Sequence, residues 1–361
     1  MRITVMQVLH QGSGAGSVTS TLHLSLGLQR AGIQIRFVCP PGSEVEAQAR
    51  AGGLEVHPIA LEPRRRLSNA ARLHSLLRSF PVDVVNSQSS RDRAALSWLA
   101  FTGRLSAPLV VTRRQMPRTL ALENWLVSRV AARVIAVSPS VADALGRRGT
   151  SRKKLAIIPN GLITSRVDSP VSAIALEEWR RRIEWEPSRR TIGVVARRKD
   201  QAVVLRALGE VATPVRLVLA GVGSDAVLKR EVDAIPSRHA VVMLPFTPHV
   251  RPLFDLLEIS LLPSRIEGLS QALLEAMALG KPVIASAAAG NRDLITNGVD
   301  GLLVEPLEPS GWAQAITAVL SDSKLAGRLG DAARHTARNR FPLDRTVLAT
   351  AELYRSLLAS T

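Results

Sequence analysis

Short runs rich in β-branched residues alternate with longer stretches of helical spacing along this chain, and the alternation occurs twice. This pattern constrains the fold more than any single motif, because it is how parallel sheets covered by crossover helices are written. In the first half the predicted strands are 3–9, 33–38, 54–59, 82–86, 109–112, 134–137 and 156–158. Helices are expected over 17–31, with Leu22, Leu26 and Leu28 facing inward, and over 66–79 and 117–131. The rhythm breaks after Pro159-Asn160-Gly161, a turn signal, and runs through a charged helix around Trp179 to Pro187-Ser188. It then resumes with predicted strands 191–196, 215–220, 240–244, 259–262, 283–285 and 302–304, and ends in helices after Pro309.

At 361 residues the chain exceeds what one hydrophobic core usually supports. The expected fold class is therefore α/β, with two Rossmann-like domains facing a cleft. The first domain is expected over 1–165, a connection over 166–190, the second domain over 191–340 and a terminal helix over 341–361. Sheets of this kind bind ligands at the carboxyl ends of their strands.

The 46% hydrophobic and 21% charged content is that of a folded protein. Cys39 is the only cysteine, which rules out an intrachain disulfide and fits a reducing compartment. No apolar run approaches the roughly 18 residues of a membrane span, and the first residues read as a strand, not a signal peptide. A cytoplasmic location is expected. The net charge of +17 comes almost wholly from arginine, and two readings of it stand: compositional bias, or attraction to anionic lipid or a phosphorylated acceptor. The second rests on Arg64, Arg65, Arg66, Arg72, Arg78, Arg91, Arg93, Arg104, Arg113, Arg114 and Arg118, with Trp98 and Phe101 among them in an Ala/Leu-rich helix. Nucleic acid is not the expected partner: aromatics are 3% and no binding motif is present.

The richest motif runs from Pro263 to Pro282, with Glu267 and Glu275 on either side of Gly268-Leu269-Ser270. Leu269, Leu273, Leu274 and Met277 recur at helical spacing, Ser270 can cap, and Gly280 with Pro282 ends the helix. Glu267 then lies at the helix mouth and Glu275 about two turns inside. The backbone N–H groups at that mouth form an anion site. Elsewhere, Gly12-Ser-Gly14-Ala-Gly16 follows the first strand as a phosphate-binding turn, with spacing unlike a dinucleotide fingerprint. Arg197-Arg198-Lys199-Asp200 follows the strand 191–196, and Gly221-Val-Gly223 the next one. His10, just before the glycine loop, can reach the cleft or be structural. The chain has no Asp-x-Asp and no histidine spacing of a metal site, so neither metal nor cofactor is expected.

The 263–282 string resembles the Glu-x7-Glu signature of the retaining GT-B glycosyltransferases of family 4. That resemblance implies that Glu267 meets the donor sugar and Glu275 the ribose hydroxyls of a nucleotide-sugar. It implies that Arg197 and Lys199 clamp the donor diphosphate, with Arg198 as the alternative to Arg197. It places Gly14 and Gly16 near the donor phosphates or acceptor, Gly221 beside the nucleotide, and the backbone around Phe246 against the base. Gly268, Leu269 and Ser270 would take phosphate, and the last helix would cross back onto the first domain. The family often carries His-x-His where this chain has Asn86 and Gln88, and glutamine cannot carry a proton through neutral pH. The implied activity is retaining, metal-independent transfer to a glycan, glycolipid or lipid-linked acceptor in cell-envelope or polysaccharide synthesis, at the inner face of the membrane. A nucleotide-sugar-binding protein or an epimerase-like enzyme is the alternative.

Overall fold

The structure, a computed structural model, describes residues 3–13, 16–117 and 121–359. Gly14 and Arg118 lie outside the described residues. The chain divides into two compact units: one runs up to Gly161 and resumes at Leu343, the other is Leu162–Pro342.

The first unit carries strands β1 (Thr4–Val8), β2 (Gln34–Cys39), β3 (Glu55–Pro58), β4 (Val84–Ser87), β5 (Leu109–Arg113), β6 (Arg133–Ala136) and β7 (Leu155–Ile157). Its helices are α1 (Gly16–Arg30), α2 (Glu44–Ala51), α3 (Arg66–Ser79), α4 (Ser90–Phe101), α5 (Ala121–Val130) and α6 (Pro139–Arg147). The strands form one parallel sheet in the order β3-β2-β1-β4-β5-β6-β7. The second unit opens with α7 (Thr164–Asp168) and α8 (Ala173–Arg182), so residues 166–190, expected as a connection, are part of this unit. Trp179 of α8 is buried, with the Arg182 guanidinium 4.3 Å from its ring centroid.

The rest of the second unit interleaves β8 (Arg190–Val195), α9 (Gln201–Ala207), β9 (Val215–Ala220), α10 (Ala226–Asp233), β10 (Ala240–Leu244), α11 (Arg251–Leu256) and β11 (Ile259–Leu262). Then come α12 (Gln271–Ala278), β12 (Val283–Ser286), α13 (Ala289–Leu294), β13 (Leu302–Val304), α14 (Pro309–Ser321) and α15 (Ser323–Arg340). Its sheet is also parallel, ordered β10-β9-β8-β11-β12-β13. Every residue of β9 and β11 is buried, as strands covered on both faces must be. Among the described residues no helix is long and apolar enough to cross a membrane.

Helix α16 (Leu343–Ala359) returns the chain to the first unit and packs on α1. That second neighbour explains why Leu22 and Leu28 are buried as expected, while Thr21, Ser25 and Gly27 are buried too and Leu26 only half so. At Gly27 an added Cβ would collide with Val347 of α16. Gly161 is likewise pressed against the Leu343 backbone, and Thr346 donates to the Pro159 carbonyl at 2.9 Å.

Tyr354 of α16 is fully buried, and its hydroxyl accepts from Gln7 Nε2 at 3.0 Å and Asn86 Nδ2 at 2.6 Å. Asn86 Oδ1 in turn accepts from Thr112 at 3.0 Å. Burial pushes the Tyr354 phenol up to about 12, while the hydrogen bonds from Asn86 and Gln7 act the other way. A phenol whose pKa is raised on folding contributes stability that is present below its unfolded pKa near 10 and lost as pH rises through the folded value. The Tyr354→Phe protein, with two buried amide donors left unaccepted, should lose about 2 kcal/mol of stability at neutral pH in urea unfolding. It should also lack the stability loss that the wild type shows between pH 10 and about 12. Equal alkaline slopes in the two proteins would show that this hydroxyl is not held as described.

Candidate active site

In each sheet the strand order reverses once. The reversal lies between β1 and β4 in the first unit and between β8 and β11 in the second. Connections leave such neighbouring strands in opposite directions, which opens a crevice at their carboxyl ends. In the second unit that crevice is bounded by residues 196–200 after β8 and 263–270 after β11. The two loops are fastened together: Asp200 N–H donates to the Pro263 carbonyl at 3.0 Å, and Arg265 returns backbone N–H and Nε bonds to the Asp200 carboxylate at 2.9 and 3.1 Å. Across them Lys199 Nζ meets Glu267 Oε1 at 2.8 Å.

Ser270 caps α12 as expected, accepting from Leu273 N–H at 3.3 Å. Gly268 and Leu269 are buried beneath the turn. Glu275, about two turns into α12, is buried and held by Arg166 of α7, with Nε to Oε1 at 2.8 Å and Nη2 to Oε2 at 3.5 Å. Each carboxylate oxygen has more than one lone pair, so this pairing orients Glu275 and leaves it capacity to accept from further hydroxyls. Arg166 carries no sequence signal for the role, since it lies far from α12 in the chain.

Beneath the turn sits Gly290 of α13. A Cβ there would run into the Gly268 carbonyl and lie 2.6 Å from that of Glu267. Ser286 Oγ accepts from Ser264 N–H at 2.9 Å, and Asn291 Nδ2 donates to the Ser286 carbonyl at 2.9 Å. The segment 289–294 is thus the floor on which the 267–270 turn rests. Only the missing side chain of Gly290 could have signalled this, and a glycine has many possible reasons.

After β8 the two arginines separate. Arg198 pairs with Asp225 at 3.1 Å, whereas Arg197 is exposed and no carboxylate among the described residues pairs with it. Arg197, the residue chosen in the sequence, is thus the one left available. Gly221 has φ +113°, and a Cβ there would lie 2.7 Å from the Ala196 carbonyl. Its glycine lets the loop after β9 close on the loop carrying Arg197. Phe246, after β10, is half-exposed.

In the first unit, His10 follows β1 and Gln88 follows β4. His10 Nδ1 lies 2.6 Å from Ser89 Oγ and 3.1 Å from Asp92 Oδ1. Asp92 also accepts the backbone N–H groups of Gln88 and Ser89, each at 2.8 Å, and the Ser87 hydroxyl. Burial raises its pKa, but hydrogen bonds from His10 and Ser89 outweigh this and leave the carboxyl below its ordinary value. Asp92 was missed in the sequence although Ser89-x-x-Asp92 is the spacing of a capping box, which the structure forms. Gln88 donates to Gln7 Oε1 at 2.6 Å and accepts from Arg114 Nη2 at 2.8 Å. Of the glycine loop, Gly14 is outside the described residues and Gly16 is the exposed first residue of α1.

Two parallel-sheet α/β units with the exposed Arg197, the Lys199–Glu267 ion pair and the buried Glu275 around one switch point fit a glycosyltransferase of the GT-B class using a nucleotide-sugar donor. The chain belongs to glycosyltransferase family 4: residues 14–166 match Glycosyltransferase Family 4 and residues 189–322 match Glycosyl transferases group 1. The D-inositol 3-phosphate glycosyltransferase of Xylanimonas cellulosilytica is 26% identical over 95% of this chain and 92% of its own length. A lipopolysaccharide core biosynthesis mannosyltransferase of Rhizobium leguminosarum bv. viciae is 32% identical over 36% of this chain and 37% of its own. The crystal structure of Anabaena HepE in complex with UDP and glucose has the same fold, with a TM-score of 0.84 at 18% identity over 98% of this chain and all of that one.

Replacing Gly290 by alanine should lift the 267–270 turn from its floor. Transfer activity should fall at least tenfold while UDP or GDP affinity drops, and the first unit's unfolding should be unchanged. Wild-type affinity in Gly290→Ala would mean that the turn can give way without consequence.

Proposed function

We propose that this enzyme transfers a sugar, with retention and without a metal, from a nucleoside diphosphate donor to a hydroxyl of a glycan, glycolipid or lipid-linked acceptor in cell-envelope or polysaccharide synthesis. The observation that carries the reading is the second unit's switch point. There Lys199 and Arg197 stand beside the Gly268–Ser270 turn, with Glu267 bonded to Lys199 at 2.8 Å.

The bond to be broken joins the anomeric carbon to a phosphate oxygen, and negative charge grows on that oxygen as it leaves. Fixed cations and N–H groups can meet this charge, because they are oriented before the reaction begins. Lys199 and Arg197 supply the first, the turn at the α12 N-terminus the second. Glu267 is placed to accept from sugar hydroxyls while its other contact steadies Lys199, and Glu275, oriented by Arg166, to accept from the ribose diol. Both hold position and do no acid–base work. Retention, and the donor roles of Gly16, Gly221 and the backbone around Phe246, come from family membership. The cell-envelope role is supported by the name of the Rhizobium relative, and a polar, charged acceptor by that of the Xylanimonas relative.

A peripheral membrane contact is the finer part of this reading. Leu67 and Phe101 are exposed, and the Arg66 guanidinium lies 5.0 Å from the Trp98 ring centroid at the groove between α3 and α4, which Arg78 and Arg104 also line. Arg93 and Arg113 do not belong to such a face, because both are buried at the end of the sheet. Arg72 is paired with Glu62 at 2.9 Å.

Assay of labelled UDP- and GDP-sugars for transfer tests the function. Lys199→Ala should lower kcat about 100-fold, equivalent to some 3 kcal/mol of barrier. Glu275→Ala should weaken nucleoside diphosphate binding at least tenfold, and unaltered affinity would refute the ribose placement. Binding of UDP-sugars without transfer or hydrolysis would instead favour a binding protein. For the membrane contact, wild-type protein should sediment with anionic but not neutral liposomes. Serine substitution at Arg64, Arg65, Arg66, Arg78 and Arg104 should abolish this, and unchanged sedimentation would rule the face out.

A further inference from the structure

Arg114 stands just past the carboxyl end of β5, beside the switch point of the first sheet. It is half-buried, and its guanidinium is held only by neutral amides: Nη2 donates to Gln88 Oε1 at 2.8 Å and Nη1 to Asn160 Oδ1. Its Nε is buried with no acceptor. Among the described residues no carboxylate pairs with it. Arg93, at the same end of the sheet, has Glu123 at 3.3 Å, and Arg166 in the other unit has Glu275, whereas the adjacent Arg113 is buried and donates to an amide oxygen, Asn124 Oδ1 at 3.1 Å. Burial lowers the pKa of Arg114 to about 10, which still leaves it charged at neutral pH.

The contacts around it are fixed by others. Gln88 donates from its amide nitrogen to Gln7 Oε1 at 2.6 Å, which orients its amide oxygen toward Arg114 Nη2 at 2.8 Å and Thr21 Oγ1 at 3.5 Å. Gln7 is anchored on Tyr354. A guanidinium is thus set in place at a ligand-binding edge by a network that supplies hydrogen bonds but no counter-charge. Cations removed from water in this way lack the compensation that ion pairs normally give. The planar N–H fork matches a carboxylate or a phosphate.

We propose that Arg114 binds the acidic group, a carboxylate or a phosphate, of a sugar substrate held at the carboxyl edge of the first sheet. The inference rests on the sugar-transfer reading above and adds the charge of the sugar. The acidic sugar can be the donor's, as a uronate, or the acceptor's, as a sugar phosphate or uronate. Both use the same chemistry at Arg114.

Calorimetry distinguishes these sources. In the donor arm, UDP-glucuronate is compared with UDP-glucose. In the acceptor arm, glucose 6-phosphate and glucuronate are compared with glucose, with and without saturating UDP. The wild type should prefer the charged probe in one arm by about tenfold or more, as expected for a charge-assisted hydrogen bond. Arg114→Gln should bring the preference close to unity while binding UDP like the wild type, and Arg114→Lys should keep part of it. If Arg114→Gln does not fold, the lysine variant decides, because loss of the fork should still reduce the preference. Wild-type protein that binds UDP but shows no charge preference in either arm would overturn the proposal. So would a preference that survives both substitutions. Failure to bind UDP counts against the donor reading instead, and the nucleotide-free acceptor arm still decides the role of Arg114.

Discussion

Everything functional in this molecule depends on a reversal of strand order in a parallel sheet. Between β8 and β11 the connections leave in opposite directions, and the carboxyl ends of two hydrogen-bonded strands are left uncovered. Lys199 and Glu267 come from the two loops that meet there, and Asp200 ties those loops by bonds to Pro263 and Arg265. The same reversal between β1 and β4 brings His10 to Ser89 and Asp92, and sets Gln88 beside Arg114. Each crevice is a by-product of how crossovers cover a sheet, and in the second unit Gly221 and Gly290 let its loops close together.

The charged groups around these crevices are sorted by whether they have partners. Glu275 is buried and bound by Arg166, Arg198 by Asp225, and Asp92 by His10, Ser89 and two backbone amides. A buried charge deprived of its partner is expensive, so the pairs of Glu275 and Asp92 lock geometry, while the partly exposed Arg198–Asp225 pair only occupies Arg198. Among the described residues no carboxylate pairs with Arg197 or Arg114, both of which follow strand ends beside a switch point. Among the described residues the arginines therefore include structural pairs, a basic outer groove and cations such as Arg113, Arg114 and Arg197 at strand ends with no carboxylate partner.

Much of this was legible in the chain. Strands 215–220, 240–244, 259–262 and 302–304 coincide with β9, β10, β11 and β13, because each is a continuous apolar or β-branched run bounded by turn residues, and β9 and β11 are buried on both faces as well. The Ser270 cap and the helix behind it were equally local. Residues 166–190, expected as a connection, fall within the compact unit Leu162–Pro342, and a polar, arginine-rich helix gives little local sign that its one tryptophan is buried. Helix α1 concealed its second buried face because the helix covering it, α16, comes from the far end of the chain.

The sequence by itself determined the two sheets, the Ser270-capped turn at Gly268–Ser270 and the glutamates flanking it, because each depends on periodicity or on short-range spacing along the chain. The tertiary structure decided which charges are paired. Arg166 reaches Glu275 across 109 positions, Tyr354 reaches Gln7 across 347, and Gly290 supports Gly268 from the next βα unit. Such contacts are set by which elements the sheet order makes neighbours, and no local pattern records them. For that reason the pairing of Arg198 with Asp225, and the absence among the described residues of a carboxylate beside Arg114, emerged only once the strands were in order.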